Sequence, residues 1–390
     1  MNVEALHRDL LSAVSLATDR AAVKIRTTYQ SASGPGGKVF PPTYPAQNRS
    51  AQDGGQYLLE SRFVDGQERP SVLLDSVPSH ANRAEEALLR ARRRGTIETP
   101  LLELHHDGKA QVVLSSLEFP HRYADAYLRD SLLEGEPFDT TDLGRSLLSA
   151  CPEDSTSLYR HDPGSIVFGA WNSHRRGRQY KFPRVYSGEI VGWDPVVGAR
   201  RAGRMDPLNL VGAATRTQDG DGWEYDPVAR RQKTRGNKLS EIGHGNVAPG
   251  EQHGGVTISS ATRTATLSLA ALDRLGFGTA TAAAATAARA VLASYALLAD
   301  RSAFAGPGLW LRSGCDLVVV DEEIVWVCRG GVEVPFALSA EDARELFRYA
   351  VRQAVEAGIP WDTRTVELAP SRPLAAAIDQ SLTRAEPAQE

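Results

Sequence analysis

The sequence predicts an α+β fold broken by one long polar excursion, and three observations predict it. Short strand-like apolar runs are interspersed with helical patterns along most of the chain. From Asn172 to about Gly255 the composition changes to glycine, proline and charge, with few long apolar runs. Finally, 390 residues at 42% hydrophobic can bury a large core in one elaborated domain or two.

Residues 1–30 read as an amphipathic helix followed by the strand VKIRTTY. Residues 31–55 are rich in Gly, Pro and Ser and read as a long loop. QYLLESRF and VLLDSV are short strands around a polar turn, VDGQERPS. A helix is expected from Ser79 as its cap, with Asn82 and Arg83 in its first turn. LLELHH and AQVVLSS, split by Asp107-Gly108, form a β-hairpin, and 119–134 is helical in pattern. SIVFGAW (165–171) reads as a buried strand, and a further short strand is expected near VYSGEIVGW. VTISSATRTATLSL alternates and returns to the sheet. Helices follow at about 268–275 and 279–299. LWLRSGCDLVVV and EIVWVCRGGVEVPF are read as a hairpin turning at Asp321-Glu322-Glu323. An amphipathic helix starts near Ser339 and stops at Gly358-Ile359-Pro360, and LTRAEPAQE is a frayed tail.

The expected organisation is an N-terminal palm part (1–170, with a loop insertion near 31–55), a basic thumb-like insertion (171–255), a C-terminal palm part with helices (256–368) and a tail (369–390). This pattern fits a ferredoxin-like palm with insertions, although other α+β folds would share it.

No membrane span is expected: 279–299 is alanine-rich, carries Arg289 and reads as a soluble helix. The N-terminus shows no secretory signal, and Cys151, Cys315 and Cys328 have neither metal spacing nor a paired framework, which suits the cytoplasm. Net charge is −4, which argues mildly against a nucleic-acid partner, but the charge is unevenly placed. Between Arg175 and Arg204 there are eight Lys/Arg against two acids. A second basic run, ARRQKTRGNK, ends at Lys238, and a third, RARRR, covers 90–94. Such clusters can hold a polyanion on one face of an acidic protein.

Enzyme motifs are weak. GPGGK (34–38) lacks the spacing of a phosphate loop, and no nucleophile elbow, zinc spacing or dinucleotide fingerprint occurs. His105-His106 sit at a strand end. His121 and His161 are the residues a metal-independent endoribonuclease would use as acid and base, but nothing in the sequence places them together. Binding features are stronger. WNSHRRGRQYKFPR combines Arg175, Arg176, Arg178, Lys181 and Arg184 with Trp171, Tyr180 and Phe182. Cations neutralise phosphates while aromatics stack on unpaired bases. KTRGNKLSEIGHGNVAP repeats the composition with Lys233, Arg235, Lys238 and His244. Asn82 and Arg83 could receive a phosphate at a helix start. Arg122 and Arg129 share a helical face, with Asp125 spaced to pair with either, so an ion-pair ladder competes with strand binding there.

The segments VLLDSVPSHANRAEE, FPHRYADAYLRDS, SIVFGAWNSHRRG, KFPRVYSGEIVGWD, KLSEIGHGNVAP and LRSGCDLVVV, with KVFPPTYP, run in order over about 38–320. In them the chain resembles the CRISPR-associated RAMP family that forms the backbone of type I-G (formerly I-U) Cascade-like effector complexes. One departure is Gly188 in SGEI. The resemblance implies a modified RNA-recognition-motif palm with thumb-like and finger-like insertions. It implies a non-catalytic subunit, without cofactor or metal, whose copies line up along a CRISPR guide RNA and present it to a target DNA strand. Its implied partners are further copies of itself, a guide-processing and capping subunit, a large subunit, and a helicase-nuclease recruited for cleavage. Guide contacts would fall to Asn82, Arg83, Arg122, Trp171, Arg175, Arg176, Arg178, Lys181, Arg184, Lys238 and His244.

Overall fold

The computed structural model describes residues 2–15, 18–44, 56–173, 180–199, 202–208, 210, 213–216, 222–226, 237–239, 244, 247–250 and 254–385. The chain opens with helix α1 (Val3–Ala13) and strand β1 (Arg20–Ser31), then four strands β2 (Lys38–Val39), β3 (Thr43–Tyr44), β4 (Gln56–Tyr57) and β5 (Leu59–Val64). β6 (Gln67–Asp75) leads into α2 (Val77–Arg93), and β7 (Leu101–Asp107) pairs with β8 (Gln111–Ser115). Next come α3 (Ala126–Arg129), β9 (Ser131–Leu133), β10 (Glu136–Pro137), α4 (Asp142–Ser149), α5 (Thr156–His161) and α6 (Pro163–Val167). Strands β11 (Ala170–Trp171), β12 (Lys181–Phe182) and β13 (Tyr186–Trp193) follow. The insertion carries β14 (Val196–Val197), β15 (Ala202–Arg204), β16 (Ala213–Arg216), β17 (Trp223–Asp226), β18 (Asn237–Lys238) and β19 (Val247–Gly250). The chain returns through β20 (Val256–Thr257), β21 (Ser260–Ser268), α7 (Leu269–Asp273) and α8 (Ala282–Phe304). It ends with β22 (Gly308–Arg312), β23 (Cys315–Cys328), β24 (Glu333–Pro335), α9 (Ala340–Glu356), β25 (Thr365–Pro370) and α10 (Arg372–Ala385).

The fold is α+β. Its main sheet has the order β22-β23-β1-β21-β13-β6-β5, with β24 pairing β23. The central four run antiparallel, with β1 between β21 and β23 and β21 between β1 and β13. In chain order these are fourth, first, third and second, with α2 in the first crossover and α8 in the second. That is the ferredoxin-like arrangement of an RNA-recognition-motif palm, extended by the β5–β6 hairpin. A separate sheet, β10-β9-β25-β7-β8, contains the parallel pair β25–β7.

Strand alternation decides which side is buried. Val23, Ile25, Thr27 and Tyr29 of β1 point to the helices, while Lys24, Arg26 and Thr28 point away. α8 lies under the sheet against α2 and α9 and is buried on nearly every side, so it needs no polar face. Its alanines let these helices approach closely. By length and composition it could cross a membrane, yet 78% of its most apolar window is buried within the protein. α9 begins with the expected capping box, Ser339 and Asp342 bonding reciprocally.

Several sequence expectations change. α2 is capped by Ser76, not Ser79, because Pro78 fits the first helical turn. Asn82 and Arg83 therefore lie in the second turn, away from the free N–H groups. SIVFGAW is not one strand: Pro163–Val167 is helical, and only Ala170–Trp171 is extended. Residues 119–134 are not one helix, since Arg122 adopts φ 53° and divides a 3₁₀ turn from the short α3. Asp125 caps α3, accepting from Tyr127 N at 2.9 Å and from His121 N at 2.8 Å. Asp321-Glu322-Glu323 is not a turn but the middle of β23, where Glu322 accepts from buried Arg301 and from Thr27. Tyr186–Trp193, placed in the excursion by sequence, is a central strand. Leu382–Ala385, read as tail, belong to α10. Gly188 keeps regular register opposite Ala265, and a Cβ there would lie 2.5 Å from the His80 ring, so close packing requires glycine. All three cysteines are free.

Candidate nucleic-acid interface

The basic aromatic segment is presented by a two-stranded hairpin. Ala170 pairs with Phe182 and Trp171 with Lys181. Alternation buries Ala170 and Phe182 and turns Trp171 and Lys181 outward, leaving Trp171 58% exposed. Lys181 Nζ lies 5.8 Å from the Trp171 ring centroid, a cation–π arrangement. Arg184 is exposed just beyond the hairpin. Arg175, Arg176 and Arg178, at the hairpin tip, lie outside the described residues. A cleft of about 410 Å³ adjoins the hairpin, with apolar walls from Ile166, Phe182, Pro183 and Leu275 and the cations Lys181 and Arg274 in its lining.

Three features fix the hairpin base. Gly169 turns the chain at φ 82°, and a Cβ there would meet Arg184 Cγ at 2.8 Å. Val185 N donates to Val167 O at 3.1 Å, closing the base onto α6. Arg122 donates from Nη1 to the Gly169 carbonyl at 2.8 Å. The same guanidinium binds Glu85 of α2 through Nε at 2.6 Å and Nη2 at 2.8 Å. Burial pushes the Glu85 carboxyl up to about 7, against the opposing pull of Arg122. Arg122 is itself buried, and in this structure it positions the hairpin.

Arg83 is also engaged inside the fold. Its Nε lies 3.3 Å from both oxygens of fully buried Asp75, and its Nη2 donates to Leu311 O at 2.9 Å. Asn82 is exposed on α2. A second buried network holds β13, which continues the chain from the hairpin. Arg263 and Asp300 are fully buried and paired at 2.6 Å, and Tyr186 Oη donates to Asp300 at 2.5 Å. Burial alone would raise the Asp300 carboxyl, but Arg263 and these hydrogen bonds hold it below its ordinary value. His80 stacks on Phe304 and lies 3.4 Å from Arg263; burial, then Arg263, lowers its imidazole to about 3.

On the insertion, Lys238 forms part of β18, paired with Ala213 of β16. His244 is exposed, and its ring centroid lies 5.5 Å from that of Trp223. Trp223 and Tyr225 are two apart on β17 and both exposed. The sequence reading passed over this pair, although the alternating W-E-Y was its signal.

His161 is half-buried, its Nδ1 3.6 Å from Asp362, and burial lowers its basicity. His121 is exposed at the 3₁₀ turn. Among the described residues no group of three or more His, Cys, Asp or Glu could hold a metal ion.

Residues 23–196 match the family model described as CRISPR-associated protein GSU0053. No curated protein matches the chain. The matched stretch runs from β1 to β14 and includes the whole hairpin site and its supports Glu85, Arg122 and Gly169.

Proposed function

We propose that this protein is a non-catalytic RNA-binding backbone subunit of a type I-G CRISPR effector complex, with copies arranged along a guide RNA that each displays for pairing with target DNA. The similarity of residues 23–196 to a CRISPR-associated family supports a role in CRISPR defence. The observation that carries the binding role is the outward Trp171–Lys181 pair on a rigidly based basic hairpin. An exposed indole can stack on any base, and Lys181 and Arg184 can neutralise phosphates, so the strand is held without reading its sequence. Base pairing then supplies specificity. The exposed Trp223, Tyr225 and His244 of the insertion offer a second stacking group. Arg83 and Arg122 serve by positioning. The partners are further copies, a guide-processing and capping subunit, a large subunit and a recruited helicase-nuclease, in the cytoplasm.

The test is RNA affinity of the Trp171→Ala and Lys181→Ala variants. Each is expected to weaken binding of single-stranded RNA at least several-fold, and unchanged affinity in both would overturn the reading. Metal-independent cutting of repeat RNA that disappears on His121→Ala or His161→Ala would instead establish an endoribonuclease.

A further inference from the structure

The arginine run at the end of α2 takes no part in the hairpin site. Two clefts adjoin there, between α2, the end of α8, and α9. One, of about 380 Å³, is lined by Arg90, Arg94, Arg301 and Arg344. The other, of about 310 Å³, is lined by Arg348 and Arg352. Thr96 borders both, so they form one groove. Glu98 is the carboxylate in its lining.

We propose that this groove is a second nucleic-acid track, gripping the phosphates of a single strand independently of the hairpin. Arg344, Arg348 and Arg352 recur every four residues, so they share one side of α9 and step by about 6 Å along it. That step is close to the separation of successive phosphates in an extended strand. Arg94 and Arg352 are exposed and have no carboxylate partner among the described residues. Arg90, Arg344 and Arg348 pair with Glu86, Glu341 and Glu345 in exposed i,i+3 or i,i+4 pairs, which bind weakly enough to yield to phosphate. Arg301 is buried where it lines the groove; its Nη groups bond Glu322, while its Nε has no partner among the described residues. Guanidinium forks suit phosphate oxygens. A protein partner would want exposed apolar anchors, but Ile97 and Phe347 in the lining are buried.

The experiment uses the full-length protein and a fluorescent oligothymidylate, read by anisotropy across a salt series. Lys181→Ala/Arg184→Ala protein serves as the background, so loss at the hairpin and loss at the groove are separable. Adding Arg94→Ala/Arg352→Ala should weaken the remaining binding about tenfold and flatten the salt slope by roughly 1.4, two phosphates at about 0.7 each. Unchanged melting by circular dichroism would show that the fold is intact. The proposal is overturned if affinity and slope do not change, if the background variant binds no strand at low salt, or if polyglutamate of equal charge competes as well as the oligonucleotide, which would mark a site for an acidic protein segment.

Discussion

Arg122 grips Glu85 with two hydrogen bonds, at 2.6 and 2.8 Å, and with its third donor group holds the carbonyl of Gly169. Helix α2 and the turn before the basic hairpin are thereby joined through one buried guanidinium. Arg122→Ala would leave Glu85 buried without its partner. The expected loss is about 3 kcal/mol of unfolding free energy, measured by chemical denaturation. Replacing both with Met should recover much of that stability but not the RNA affinity, because the Gly169 carbonyl stays unheld.

Gly169→Ala tests the turn itself. The residue sits at φ 82°, and the added methyl would crowd Arg184. A loss of about 1–3 kcal/mol is expected from backbone strain, together with weaker RNA binding. Gly66→Ala, at φ 78° but with nothing near its Cβ, should carry the strain without the RNA defect.

His80 gives a pH signature. Its folded value of about 3 lies below the ordinary 6.5, so the fold favours the neutral ring. Its contribution is fully present above pH 6.5 and is lost as pH falls from there towards 3. Burial raises Glu85 to about 7 and Asp162 to about 6, and these act in the opposite sense, stabilising the fold as pH falls through that range. The difference between wild type and His80→Gln isolates the histidine. Between pH 7 and pH 5 wild type should lose about 2 kcal/mol relative to the variant. A pH-independent difference would show that His80 is not held neutral.

Acid also acts at the surface. Hydrogen bonds from Arg69 and then Ser259 hold the Asp194 carboxyl at about 2. Its contribution is present above its ordinary value of 3.8 and fades as pH falls through about 2. Asp194→Asn should therefore make unfolding free energy less dependent on pH between 4 and 2, in parallel denaturation curves.

What was legible in the sequence was local. β1 and β21 announce themselves by alternation, and α9 by its Ser339 cap and apolar stripe. What failed to show was decided at long range. Arg122 looks like a helical surface residue, yet Glu85, far off in sequence, draws it inward and breaks the helix. Glu322 reads as a turn residue until Arg301 and Thr27 are seen to receive it in mid-strand. SIVFGAW was too short for periodicity to separate helix from strand. In the candidate site, the pairing of aromatic and cationic residues at Trp171 and Lys181 was visible as composition. The separation of Arg83 and Arg122 from solvent was not, because burial depends on partners the local pattern does not name.

The central claim is that copies of this chain line up along guide RNA without cutting it. Its most direct test is native mass spectrometry of the purified protein with guide RNAs of increasing length. The account predicts complexes whose copy number rises with RNA length, dissolves at high salt and contains intact RNA. A protein that stays monomeric at low salt, alone and with its partner subunits, or that returns cleaved RNA, would contradict it.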